Sequence, residues 1–183
     1  ALATDHIELL LMHRPDYLMA PEEVARAFDQ LKSAGKVAEF GVSNFSTSQF
    51  DLLHSFHPLV TNQVEVSVMQ RQAFDDGTLD QCLKLGLQPM AWSPLGGGAL
   101  FQPSEDESIQ RIQQVGEELS DKYNCGLDQL LYAWVMAHPA SIIPVLGTSN
   151  IDRIALAKAA LDIQLSREDW YLLWTAAIGT EIP

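Results

Sequence analysis

The chain has 183 residues, 47% hydrophobic and 19% charged, a balance that excludes intrinsic disorder and fits one globular domain of roughly 100–200 residues with a sizeable core. Eleven basic against 24 acidic side chains give a formal charge of −13, which repels phosphate backbones and anionic lipid, so neither nucleic acid nor membrane is an expected partner. Two cysteines, the lack of an apolar run of about 18 residues and a start without a basic region predict a cytoplasmic protein with no disulfide framework.

The apolar run at 7–12 predicts a buried strand that ends at His13-Arg14-Pro15-Asp16, where proline disfavours regular structure. Pro21 and two acids then open a helix whose Val24, Ala27, Phe28 and Leu31 recur at helical spacing until Gly35. Glu39-Phe40-Gly41-Val42 predicts a second strand, followed by Ser43-Asn44-Phe45 and a helix capped by Ser46, with Phe50, Leu52 and Leu53 as its stripe. Residues 58–64 read as a third strand, and 77–84 as a helix closed by Gly86. A fourth strand at 88–92 opens into Ser93-Pro94-Leu95-Gly96-Gly97-Gly98, the polar 102–107 stretch reads as a surface loop, and two helices fill 108–138. Residues 141–145 predict the last strand, followed by Gly147-Thr148-Ser149-Asn150 and a helix from about 151 to 161.

Five short apolar strands alternating with helices predict an α/β chain of parallel βα units, because parallel neighbours need a crossover and strands buried on both faces lose polar alternation. Periodicity leaves a closed barrel and an open doubly wound sheet as alternatives, and five strands are too few for an eight-stranded barrel. Amide, hydroxyl and imidazole groups gather after the strands: His13, Ser43-Asn44, Gln63, Trp92-Ser93 and Gly147-Thr148-Ser149. In parallel α/β folds that end is the ligand face. No His, Cys or carboxylate spacing predicts a metal site.

Leu-Leu-Met-His-Arg-Pro-Asp, Gly-Val-Ser-Asn-Phe, Asn-Gln-Val-Glu, Ala-Trp-Ser-Pro-Leu-Gly-Gly-Gly and Ile-Pro-Val-Leu-Gly-Thr-Ser follow one another along essentially the whole chain. In that order they resemble the aldo-keto reductases. The resemblance implies a (β/α)8 TIM barrel, of which this chain covers about strands four to eight with their helices, and hydride transfer between NADPH and an aldehyde or ketone. The family's catalytic aspartate, tyrosine and lysine lie on its first three strands, and nothing here matches those motifs. The chain therefore reads as the C-terminal portion of an enzyme, inactive by itself and prone to self-association through open sheet edges.

By the same resemblance His13 hydrogen-bonds the substrate carbonyl oxygen, while Ser43, Asn44 and Gln63 hold the nicotinamide carboxamide. Trp92 stacks on the nicotinamide ring, and Ser93, Pro94, Leu95 and Gly96 wrap the pyrophosphate. Gly147, Thr148 and Ser149 with Arg153 seat the 2′-phosphate and adenosine of NADP, hydroxyls and helix N-terminal amides converging there. Two departures stand out: Gly147 occupies a position that is basic in many members, and Leu156 and Ala157 replace a polar pair that contacts adenine. Taken singly, each residue also fits a plainer role: a satisfied strand-end histidine, an ordinary turn, a core tryptophan, a surface loop, a helix cap. A non-catalytic nucleotide-sensing subunit and a truncated product without independent function are the competing expectations.

Overall fold

The structure is a computed structural model that describes residues 3–181. The chain folds into two compact units: one runs up to Val64 and includes Ala73–Met90, and the other takes Glu65–Gln72 and everything from Ala91 onward.

The first unit begins with β1 (Ile7–Met12), α1 (Pro21–Ser33), β2 (Val37–Ser43) and α2 (Thr47–His54). The strands are parallel, with Ile7 opposite Val37 and Met12 opposite Val42. β3 (Asn62–Glu65) continues the parallel ladder from β2, Ser43 lying opposite Gln63. After the short α3 (Gln72–Asp75), α4 (Thr78–Leu85) closes the unit, stopped by Gly86 in the left-handed region at φ 67° as expected for a glycine C-cap.

Helix α2 starts with a capping box, the Ser46 hydroxyl accepting from the Gln49 N–H while the Gln49 side chain accepts from the Ser46 N–H. Its stripe differs from the expectation: Phe50 and Leu53 are buried but Leu52 is 47% exposed, because a residue adjacent to Leu53 is turned about 100° around the helix. Phe28 and Phe40 stack at 4.1 Å in the core of the unit, and buried His57 meets both rings edge-on. The third strand starts later than expected. Pro58 has no N–H and the Leu59 N–H is taken by the His54 ring at 3.0 Å, so backbone bonding to β2 begins only at Val60, whose N–H donates to the Phe40 carbonyl at 2.8 Å, and the strand itself runs from Asn62.

In the second unit β4 (Met90–Trp92) leads to a 3-10 stretch, Gly96–Phe101, and then to α5 (Glu107–Tyr123) and α6 (Leu127–Met136). Asp106 caps α5 through the Ser108 N–H, and α6 buries Leu130, Leu131, Tyr132, Ala133, Trp134 and Val135 in succession. β5 (Ile143–Pro144) follows, and just beyond it the Val145 N–H bonds the Ala91 carbonyl at 2.8 Å. This strand is shorter than expected because Ser141 turns the backbone left-handed at φ 53°, outside the extended region.

The chain continues through α7 (Ile151–Ala159), a 3-10 turn at Ala160–Asp162 and α8 (Arg167–Ile178). The last helix is not foreseen from periodicity, since Trp170 to Trp174 form an unbroken run of large apolar residues instead of a stripe. Ser166 caps its start and Gly179, at φ 77°, ends it. Among the described residues no helix is long and apolar enough to cross a membrane.

Candidate functional site

The carboxyl ends of β1, β2 and β3 lie level in the first unit. Met12 faces Val42 and Ser43 faces Gln63, so His13, one residue past β1, continues the row that holds Ser43 and Gln63. Ser43 is buried and donates its hydroxyl to the Gln63 carbonyl at 3.0 Å, while Asn44 donates its backbone N–H to the same carbonyl at 2.9 Å. The Asn44 amide nitrogen reaches the Ser43 hydroxyl at 3.1 Å. Asn44 adopts φ 58°, a left-handed value that asparagine tolerates better than most residues, and this turns the chain sharply at the strand end. Below it, fully buried Asn62 grips Phe45, donating to its carbonyl at 2.8 Å and accepting its N–H at 3.4 Å. His13 itself is exposed.

The second unit holds a cavity of about 770 Å³, within the usual range for small-molecule sites. Ser93, Pro94 and Leu95 after β4 line it together with Gly147, Thr148 and Arg153 around the start of α7. Two segments assigned separately from sequence therefore share one wall. Gly96, Gly97 and Gly98 take φ values of 61°, 63° and 89°, and Cβ atoms added at Gly97 and Gly98 would meet nothing within 4 Å. Both of these glycines line the cavity, leaving backbone open to an approaching anion. Gly96 faces elsewhere: a Cβ there would stand 2.7 Å from the Met69 sulfur.

The start of α7 departs from the expected seat of free amides. Asn150 is the cap, its side chain accepting from the Asp152 and Arg153 N–H groups at 2.9 and 3.2 Å, and the Thr148 hydroxyl oxygen accepts from the Asn150 N–H at 3.1 Å. The donors left to face the cavity are the Thr148 hydroxyl proton and the Arg153 guanidinium. Trp92, Gly96 and Ser149 lie outside the wall of this cavity.

Four polar or aromatic wall residues escape sequence reasoning: Phe101 and Gln102 at the end of the 3-10 stretch, and Asp128 and Tyr132 on α6. The polar 102–107 stretch is largely exposed, as expected of a surface loop, and its first residue, Gln102, lines the cavity. The Gln113 side chain donates to the Leu100 and Gln102 carbonyls at 3.1 and 2.8 Å and pins the segment to α5. Asp128 and Tyr132 stand four residues apart, one turn of helix, and that spacing is the signal that could have found them. Burial, assisted by the nearby Asp128 charge, pushes the Tyr132 phenol above its ordinary value and keeps it protonated at neutral pH.

The model of the Aldo/keto reductase family matches residues 1–176. The chain belongs to the aldo/keto reductase family. It is 44% identical over its whole length to the oxidoreductase YcsN of Bacillus subtilis (strain 168) and 43% identical, over 99% of its length, to a 6-dehydroglucose reductase of Agrobacterium fabrum. It spans 61% and 60% of those two proteins. Among solved structures, a thermostable aldo-keto reductase, Tm1743, in complex with the inhibitor epalrestat superposes with a TM-score of 0.84 at 27% identity, covering 94% of this chain and 61% of that one. The chain is thus part of an oxidoreductase family with an α/β, parallel-strand fold.

Proposed function

We propose that the protein is an NADP-dependent oxidoreductase that reduces an aldehyde or ketone, with residues 1–183 forming about strands four to eight of a (β/α)8 barrel. The observation that carries this reading is the cavity shared by Ser93 to Leu95, Gly97, Gly98, Thr148 and Arg153, whose glycine backbone, hydroxyl and guanidinium suit a phosphorylated nucleotide. The names of relatives from Agrobacterium fabrum and Novosphingobium aromaticivorans, both 6-dehydroglucose reductases, at 43% and 41% identity, support a carbonyl compound as substrate class.

NADPH, when bound, supplies the hydride. Gly97 and Gly98 would admit the pyrophosphate to the backbone, and Thr148 and Arg153 would hold the 2′-phosphate by hydrogen bond and charge. Ser43, Asn44 and Gln63, as donors and acceptors at the ends of β2 and β3, would orient the carboxamide, and Trp92 would cover the ring face. His13, exposed at the end of β1, would donate a hydrogen bond to the substrate oxygen as negative charge builds there. No residue of this chain matches the family's aspartate, tyrosine and lysine motifs, so residues 1–183 alone are expected to bind coenzyme without turnover.

Titration of NADPH against the protein, followed by quenching of tryptophan fluorescence, tests the reading. Saturable binding that weakens about tenfold or more in Arg153→Gln is expected from loss of a charge-assisted phosphate contact. No saturable binding, or binding indifferent to Arg153, would overturn it.

A further inference from the structure

Asp128, in the first turn of α6, faces the same cavity as Arg153 and Thr148. Its carboxylate is half-buried, and no side-chain hydrogen bond or ion pair engages it among the described residues. The oxygen Oδ1 lies 2.7 Å from where a Cβ on Gly126 would stand, so it occupies space left open by a glycine. In the first turn of α6 the carboxylate is favoured by the helix N-terminal amides, and its charge is left to act on whatever occupies the cavity. Among the residues lining the cavity, Arg153 is the one cation and Asp128 the one anion, so their formal charges cancel.

We propose that Asp128 weakens the site's preference for 2′-phosphorylated coenzyme, so that NADH is accepted beside NADPH. The inference rests on the coenzyme-binding reading above and adds a selectivity residue to it. A 2′-phosphate is attracted by Arg153 but repelled by Asp128, whereas a free ribose hydroxyl donates to the carboxylate and loses nothing from its charge. Asp128 and Arg153 line one cavity, so both charges act on an anion bound there, most strongly at low ionic strength. Tyr132, one turn further along α6, lines the same wall and adds a neutral hydroxyl beside the carboxylate.

Equilibrium titration of NADPH and NADH against the protein as wild type, Asp128→Asn and Asp128→Glu provides the test. The ratio of the NADH to the NADPH dissociation constant should rise about five- to tenfold in Asp128→Asn, the effect shrinking at high salt, and should stay within about twofold of wild type in Asp128→Glu. An unchanged ratio in an Asp128→Asn protein that binds both coenzymes overturns the inference and leaves the coenzyme reading intact. Equal weakening of both coenzymes in Asp128→Asn marks a structural role and also overturns it. If wild type binds neither, the coenzyme reading fails and the inference falls with it.

Discussion

Trp134 and Trp170 each donate their indole N–H to the other's backbone carbonyl, at 2.9 Å in both directions, with ring centroids 4.8 Å apart and planes 3° from parallel. The pair staples α6 to α8 within the second unit through both stacking and two part-buried hydrogen bonds. Trp134→Phe keeps an aromatic ring but removes the indole N–H that donates to the Trp170 carbonyl. Loss of about 1–3 kcal/mol is expected, seen as a fall of roughly 2–4 °C in Tm per kcal/mol together with a weakened near-ultraviolet circular dichroism signal. An unchanged Tm would remove the pair from the account of what holds the C-terminal helix.

Asp169 sits on the same helix as a buried carboxylate whose Oδ2 receives Lys122 at 2.7 Å, the Tyr123 hydroxyl at 2.5 Å and the Ser166 hydroxyl at 2.9 Å. The hydrogen bond from Lys122, then that from Tyr123, holds its pKa below the ordinary aspartate range. A carboxyl depressed on folding contributes stability that is fully present above its unfolded pKa of about 3.9 and is lost as pH falls through the lower folded value. The Tm gap between wild type and Asp169→Asn is therefore expected to be widest at neutral pH and to close below about pH 4. A gap that stayed constant down to pH 2 would contradict this arrangement.

Gly41 of β2 sits between Leu11 of β1 and Thr61, the residue just before β3. An added Cβ would stand 2.6 Å from the Leu11 Cδ2 and 2.8 Å from the Thr61 carbonyl oxygen, and the carbonyl cannot swing aside as a side-chain end can. Gly41→Ala should destabilise by about 1–3 kcal/mol through overpacking, whereas Gly35→Ala, with open space around it, should show only the strain of its left-handed backbone, about 1 kcal/mol. Denaturant titration of the two variants side by side separates the causes, and equal midpoints would refute the steric one.

Cys82 is 1% exposed on α4, and burial pushes its thiol up to about 11. Thiol-specific reagents at pH 8 should leave it unmodified in the folded protein and label it at the rate of an ordinary thiol once denaturant is added. Fast labelling of Cys82 under native conditions would show that the first unit opens readily.

Local chemistry made much of this legible. The Ser46 box, the Gly86 stop and the acidic first turn of α1 each involve residues within four positions of one another, so they can be read without knowing the fold. Of the two segments singled out after strands, Ser93, Pro94 and Leu95 line one cavity with Gly147, Thr148 and Arg153, while Ser149 lies outside its wall. Asp128 and Tyr132 escape because α6 carries six successive buried residues, and a helix so apolar hides a polar pair facing a cavity. The Asn150 cap was obscured for a related reason: three neighbouring residues, Thr148, Ser149 and Asn150, can all cap a helix, and only backbone geometry selects among them.

The residues of the two units are interleaved along the backbone. Glu65–Gln72 is grouped with the residues from Ala91 onward, though residues of the first unit flank it on both sides in sequence. No single peptide-bond cleavage can release either unit whole: a piece starting at Ala91 forfeits Met69, which fills the space over Gly96, and Arg71, whose guanidinium lies 5.9 Å from the Trp174 ring centre. Dissecting the protein by truncation is thus a topological error, and excision would require rejoining the strand of chain by circular permutation.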